Sequence, residues 1–242
     1  MVFSLANQVA LVIGASSGIG RATAVSFARH GTKVLASARR KDRLAQLEAE
    51  MTREGNTLAV EAADASDPAA MERLAERAHK EFGKVDILVY ATGTNTPDRT
   101  MRRLRPELWN ELVSVNLNGA YYATRAVLPR MREAGAGHLI YIASISGLVP
   151  DVSGAAYQAS KRGMVGLAHA IRVEEKEHGI RTCVVCPGLV ETEILEKRPV
   201  KPGPDVLAKA LQPEDVAELV LAVARLNPRA AIPEVQIMPT YL

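Results

Sequence analysis

Tyr157 and Lys161, in the stretch Tyr157-Gln-Ala-Ser-Lys161, form the strongest candidate for chemistry in the chain. Residues four apart share one face of a helix, so the lysine ammonium can lie beside the phenol. A free tyrosine titrates near pH ~10 and is a poor base at neutrality, but a neighbouring cation favours the phenolate. Tyr157 is therefore expected to be a general acid and base for an alcohol/carbonyl pair, with Lys161 lowering its pKa. Such a pair is also an ordinary helix face, so the surrounding motifs decide its meaning. The first is Gly14-Ala15-Ser16-Ser17-Gly18-Ile19-Gly20, between an apolar run and a helical pattern. Glycines there permit a tight turn and let the backbone approach a pyrophosphate, whose charge meets free N–H groups at the helix N-terminus. Their spacing departs from the G-x-G-x-x-G dinucleotide fingerprint. Further on, where NAD-binding proteins usually carry an acidic residue for the ribose 2′-hydroxyl, the chain has Ala38-Arg39-Arg40. A guanidinium can meet a 2′-phosphate with paired charge-assisted hydrogen bonds. Arg39 is thus expected to select NADP(H), with Arg40 as helper; two solvated arginines opening the next helix are the plainer alternative.

Other candidates carry less. Cys183-Val-Val-Cys186 has the spacing of a redox or metal pair, but it lies in a β-branched run where residues three apart point to opposite faces. Two reduced structural cysteines are expected, which suits a reducing, cytoplasmic compartment. The histidines, His30, His79, His138, His169 and His178, show no ligand spacing, and no metal is expected.

These residues need a scaffold, and the pattern supplies one. Strands are predicted at Val9–Ile13, Lys33–Ser37, Thr57–Ala62, Asp86–Tyr90, His138–Ile142, Ile180–Cys186 and Glu234–Met238. Helices are predicted near Gly18–His30, Asp42–Glu54, Pro68–Phe82, Glu107–Glu133, Ala155–His178 and Pro213–Leu226. First-turn prolines (Pro68, Pro213) and helix-ending glycines (Gly31, Gly55, Gly83, Gly135, Gly179) punctuate them. The alternation is that of an α/β, doubly wound, Rossmann-type parallel sheet of about seven strands flanked by helices on both faces. A length of 242 residues suits one such domain. The net charge of +3 is small and lacks the concentrated basic stripe of a nucleic-acid binder. No apolar run approaches the ~18 residues needed to cross a bilayer, and Val9–Gly14 is too short for a secretory signal. A soluble protein without nucleic-acid or membrane partners is expected.

Over essentially its whole length the chain resembles the short-chain dehydrogenase/reductase family. The resemblance rests on Gly14-x-x-x-Gly18-x-Gly20, Asp64, Gly93, Asn116, Ser144, Tyr157-x-x-x-Lys161 and Pro187-Gly188. It implies that Asp64 sits at the adenine, that Asn116 holds a water beside Lys161, and that Lys161 also binds the nicotinamide ribose. Ser144, thirteen residues before the tyrosine, corresponds to the family's catalytic serine and Ser146 is the weaker candidate; Pro187-Gly188 with Thr192 would seat the carboxamide. In the implied reaction NADPH gives a hydride to a carbonyl carbon, Ser144 holds the oxygen and Tyr157 supplies the proton. The chain departs from the family at Ile13, where threonine is common, and at Tyr90-Ala91-Thr92-Gly93, where Asn-Asn-Ala-Gly is usual. Altered packing rather than lost chemistry is expected there.

The ending Ile232-Pro-Glu-Val-Gln-Ile-Met-Pro239-Thr240 resembles a branch that includes 3-hydroxy acid and serine dehydrogenases and clavulanate-type aldehyde reductases. That favours a 3-hydroxy acid or a small polar carbonyl as substrate. Residues 189–206, broken by Pro199, Pro202, Gly203 and Pro204, are expected to form a substrate lid, with Lys197, Arg198 or Lys201 as possible contacts for an anion. Relatives also imply a homotetramer or homodimer formed through the helices near Glu107–Glu133 and Ala155–His178. The readings in competition are an NAD-dependent alcohol dehydrogenase of the same fold and a catalytically idle NADPH sensor. The idle sensor should lack at least one of Ser144, Tyr157 and Lys161, all of which are present.

Overall fold

A computed structural model describes residues 3–241. Seven strands form one sheet in the order β3-β2-β1-β4-β5-β6-β7, every neighbouring pair parallel. They are β1 (Val9–Ile13), β2 (Lys33–Ala38), β3 (Leu58–Ala62), β4 (Ile87–Tyr90), β5 (Gly137–Ile142), β6 (Ile180–Pro187) and β7 (Glu234–Ile237). Parallel strands need crossover connections, which here cover both faces, so a central strand such as β1 reads Val-Ala-Leu-Val-Ile and is buried at every position. Alternate side chains of β1 go to opposite cores. Ala10 and Val12 pack with helices α1 (Gly18–Arg29), α2 (Lys41–Arg53) and α8 (Pro213–Ala224), through residues such as Phe27, Leu47 and Val220. Leu11 and Ile13 pack with α3 (Pro68–Phe82), α5 (Gly119–Ala134) and α6 (Ala155–Glu175), through Leu74, Val127 and Met164. Cys183 belongs to the first core and Cys186 to the second, both free, as their three-residue spacing in a strand requires.

The punctuation read from the sequence is present. Asp67 caps α3 by accepting from the Ala69 N–H at 2.9 Å, with Pro68 in the first turn, and Gly83 ends the helix at φ +85°. Two stretches differ from expectation. The long helix expected over Glu107–Glu133 is α4 (Pro106–Val113), a five-residue π-helical segment Ser114–Asn118, and then α5. Residues 189–206 are not featureless: a 3₁₀ turn spans Glu193–Lys197 and α7 covers Pro204–Leu207. Both pieces are too short for the spacing of Pro199, Pro202 and Pro204 to forbid. Among the described residues no helix is long and apolar enough to cross a membrane.

Candidate active site

The strand order reverses between β1 and β4, and at their carboxyl ends the connections part to leave a cleft of about 650 Å³. Ligand sites in open α/β sheets lie at such a reversal. Ile13, Gly14, Ser16, Ser17, Gly18 and Ile19 line one end, with Ala38, Arg39, Arg40 and Asp64 beside them. Gly14 adopts φ +98°, and a Cβ there would stand 2.7 Å from the Ala91 carbonyl carbon; a Cβ on Gly20 would run into the Gly14 carbonyl oxygen. Glycine is therefore required at 14 and 20, where β1, β4 and α1 meet. Ser17 occupies the N-cap of α1 but gives it no side-chain hydrogen bond. The N-terminal N–H groups of the helix are left for another acceptor. The Ser17 hydroxyl instead accepts from Arg40 Nη2 at 2.6 Å, and Ser16 Oγ accepts from Arg40 Nε and Nη2 at 3.1 and 2.9 Å. Arg40 Nη1 donates to Glu193 at 2.6 Å, and Arg43 pairs with the same carboxylate, which the two guanidiniums hold at a pKa of about 2. Arg39 is more exposed and approaches Asp64 at 4.0 Å. The Asp64 carboxylate accepts from the N–H and hydroxyl of Ser66, at 2.9 and 2.7 Å. Of the two arginines, Arg39 is thus the more loosely held, by one long ion pair to Asp64, while Arg40 is built into the glycine turn.

Ser144, Tyr157 and Lys161 meet at the other end with Gly93, Pro187 and Gly188. Ser144 caps a 3₁₀ turn directly after β5, its hydroxyl accepting from the Ser146 N–H at 3.2 Å. Lys161 is 3% exposed; its Nζ donates to the Ile142 carbonyl at 2.9 Å and lies 5.8 Å from the centroid of the Tyr157 ring. Burial lowers its pKa to about 8. Gly93 lies against both Lys161 and Asn116, since a Cβ there would stand in ordinary contact with Lys161 Nζ at 3.4 Å and Asn116 Oδ1 at 3.8 Å. Asn116 sits in the π-helical segment, a feature frequent at functional sites. Its Oδ1 accepts from the Thr94 N–H at 2.8 Å, and its Nδ2 donates to the Thr94 carbonyl and to Ser160 Oγ, each at 3.0 Å. That side-chain amide is spent on protein partners, so a water beside Lys161 would have to be held by the Asn116 main chain. Thr192 roofs the glycine turn, with Cγ2 3.1 Å from where a Gly18 Cβ would be, rather than lying only beside Pro187 and Gly188.

One expectation is corrected. Tyr157 was expected to have a depressed pKa, and in this structure it is raised. Burial is the largest cause; the Ser144 hydroxyl opposes it, the Asp151 carboxylate adds to it, and Arg198 and Arg99 oppose it. The Lys161 ammonium, turned to the Ile142 carbonyl, does not offset the burial. The Tyr90-Ala91-Thr92-Gly93 departure is a packing change: the Tyr90 hydroxyl donates to the Val115 carbonyl at 2.5 Å, in space that only Gly119 leaves free.

Several cleft residues were not singled out in the sequence. Thr94 and Ser160 hold Asn116, and Glu193 ties the 3₁₀ turn to Arg40 and Arg43. Asp151 accepts from Ser146 Oγ and from the N–H and Oγ of Ser153 at 2.8 and 3.0 Å. Arg99 is 7% exposed in the cleft wall. The Asp-x-Ser turn was visible at Asp151, and Arg99 stood in the basic group Arg99, Arg102, Arg103 and Arg105, whose plain reading is solvated surface charge; the burial of Arg99 corrects that reading for this one residue, and nothing local marked Glu193.

Residues 8–202 match the family model of the short chain dehydrogenases, and the chain belongs to that family of oxidoreductases. It is 34% identical over 188 residues to the 3-oxoacyl-(acyl-carrier-protein) reductase FabG of Escherichia coli K12, covering 78% of this chain and 75% of that one. Among solved structures it resembles a closed form of serine dehydrogenase complexed with NADP+, at TM-score 0.86 and 32% identity over 95% and 94% of the two chains. A metagenomic short-chain oxidoreductase in complex with NADP gives TM-score 0.85 and 33% identity, over 99% of this chain and 100% of that one.

Proposed function

We infer that the protein is an NADP(H)-dependent oxidoreductase of CH–OH groups, acting on a small alcohol/carbonyl pair such as a 3-hydroxy acid or a small polar aldehyde or ketone. The observation that carries this reading is the division of one cleft, with the glycine turn, Arg39 and Arg40 at one end and Ser144, Tyr157 and Lys161 at the other. The glycine end fits a dinucleotide: Gly14 and Gly20 let the chain turn tightly from β1 into α1 against the residues after β4, and the α1 N-terminus faces the cleft uncapped. Gly14, Ser16, Ser17, Gly18, Ile19 and Gly20 would hold the pyrophosphate, Arg39 and Arg40 the 2′-phosphate, and Asp64 the adenine side. Gly93, Tyr157 and Lys161 would line the nicotinamide ribose, with Pro187, Gly188 and Thr192 at the carboxamide. Serine dehydrogenase and the metagenomic relative are complexes with NADP, which supports the choice of cofactor.

Bound in that position, NADPH supplies the hydride to a carbonyl carbon, and NADP+ accepts it in the reverse direction. Ser144 donates a hydrogen bond to the substrate oxygen and orients it. Tyr157 gives that oxygen a proton during reduction and takes one during oxidation. The Lys161 charge, 5.8 Å from the Tyr157 ring, works toward the phenolate that oxidation requires without offsetting the burial, and Asn116 fixes the Gly93–Thr94 wall against which Lys161 lies. Residues 189–206 act as the substrate lid of a single domain spanning 1–242, in a cytoplasmic homotetramer or homodimer. The test is a panel of small carbonyls and alcohols followed at 340 nm with both cofactors. Turnover with NADP(H) is expected, and Arg39→Ala should weaken NADPH about ten- to a hundredfold, the value of a charge-assisted contact, while barely touching NADH. Wild-type protein binding NADH as tightly as NADPH would overturn the cofactor assignment.

A further inference from the structure

Three charged side chains are almost fully buried among the described residues: Glu175, Lys161 and Arg99. Glu175 is paired with Arg132, and Lys161 lies against Tyr157. Arg99 makes no ion pair with any described residue. Its Nε donates to the Thr96 carbonyl at 3.2 Å and its Nη2 to the Lys197 carbonyl at 2.9 Å. A guanidinium has five N–H donors, so about three remain unspent in the cleft wall. A buried cation without a counter-ion is costly, and removing charges from water is repaid only by close pairing.

The neighbouring charges repay it only in part, since Asp151 acts on Arg99 from beyond ion-pair distance. Asp151 is already held by Ser146 and Ser153. Lys197 and Arg198 line the same wall, and the Lys197 ammonium donates to Thr94 Oγ1 at 2.6 Å. Burial and then the nearby Arg198 lower the Arg99 pKa, and the weaker opposing effects of Asp151 and Tyr157 do not restore it. Nor is Arg99 placed loosely. Gly154, at φ +94° and three residues before Tyr157, has no room for a Cβ, which would meet Arg99 Cβ at 2.5 Å and its carbonyl oxygen at 2.6 Å. The backbone of Arg99 is therefore docked on the start of the helix that carries Tyr157.

We propose that Arg99, seconded by Arg198, recognises a carboxylate on the substrate, so that the enzyme prefers short hydroxy and oxo acids to their neutral counterparts. This rests on the oxidoreductase reading above and names the substrate class for that site. The planar fork of a guanidinium matches a carboxylate with two parallel hydrogen bonds. A phosphate monoester would bring a second negative charge toward Asp151.

The test compares kcat/KM for 3-hydroxybutyrate and its methyl ester, with NADP+, in wild type, Arg99→Met, Arg99→Lys and Arg198→Gln. The wild type should prefer the acid. Arg99→Met should lower the acid-to-ester ratio about ten- to a hundredfold, mostly through KM for the acid. Arg99→Lys should restore part of the ratio, and Arg198→Gln, whose side chain holds no described partner, should lower it less. If Arg99 only braces the Lys197 turn, both substrates lose together and the ratio stays at its wild-type value, which overturns the proposal. A wild type that prefers the ester overturns it as well. Calorimetric titration of 3-hydroxybutyrate into NADP+-loaded protein supplies a readout independent of turnover. Arg99-dependent binding without turnover of any substrate would sink the oxidoreductase reading and leave the carboxylate site standing. Ester turnover with acid binding indifferent to Arg99→Met and Arg198→Gln would do the reverse.

Discussion

Lys161 has an ordinary pKa of 10.5 and is brought to about 8 by burial, so below pH 8 the fold holds an ammonium that solvent would hold better. Between pH 8 and 10.5 the unfolded chain binds more protons than the folded one, and stability rises with pH across that window. Below it the full cost applies, of order 3 kcal/mol at about 1.4 kcal/mol per pKa unit, offset in part by the bond to the Ile142 carbonyl. Lys161→Met should therefore raise the Tm of the ligand-free protein by several degrees at pH 7, at about 2–4 °C per kcal/mol, while removing most activity. Calorimetry and a single assay check both halves, and a lowered Tm would show that the lysine is structural. The same variant should move the onset of alcohol oxidation to higher pH, because it removes a cation 5.8 Å from the ring of Tyr157, whose pKa burial already raises. Tyr157→Phe should lower kcat by about 10²–10⁴ with the fold intact. Near wild-type turnover in folded Tyr157→Phe would assign the proton to another group.

At the scale of elements, the 3₁₀ turn Glu193–Lys197 is fastened at both ends of the cleft. Glu193 binds Arg40 and Arg43 on the cofactor side, and the Lys197 carbonyl accepts from Arg99 on the substrate side. The Glu193 carboxylate occupies a guanidinium that a 2′-phosphate would use. Glu193→Gln should loosen residues 189–206, seen as faster amide exchange, and tighten NADPH relative to NADH. Exposed ion pairs contribute about 0–1 kcal/mol, so the gain should not exceed roughly fivefold. Weaker NADPH binding in Glu193→Gln would mean that the strap supports the cofactor instead of competing with it. The π-helical segment is the other element whose local form matters, because it carries Asn116, whose side chain holds the Thr94 main chain.

For the molecule as a whole, Trp109 on α4, Tyr121 on α5 and Val173 on α6 remain exposed at 37%, 48% and 58%. These helices are the ones through which self-association is proposed, and light scattering at micromolar concentration should give a dimer or tetramer that Tyr121→Glu weakens. A monomer mass for the wild type would refute it. His138, inside β5, has neither ring nitrogen bonded, and burial, then Arg181 on the neighbouring strand, lower its pKa to about 3. Between pH 6.5 and 3 the unfolded chain binds the extra proton, so stability should fall with acidity by up to about 1.4 kcal/mol per pH unit from this residue. His138→Leu should flatten that part of the pH–Tm curve, and an unchanged slope would place the acid sensitivity elsewhere. The strands, the glycine turn, the helix stops and the pairing of Tyr157 with Lys161 were all legible in the sequence, because each depends on residues within a few positions of one another. Periodicity marks burial on both faces of a parallel sheet, and a positive φ or a close approach leaves glycine as its local trace. What only the tertiary structure decided lies between distant residues: Arg40 with Glu193 across 153 positions, Arg99 with the Lys197 carbonyl across 98, and the burial that raises the Tyr157 pKa against the expectation from its neighbour. Those depend on which loops the sheet brings to its carboxyl edge, and on how much water is excluded there, and neither has a local pattern to read.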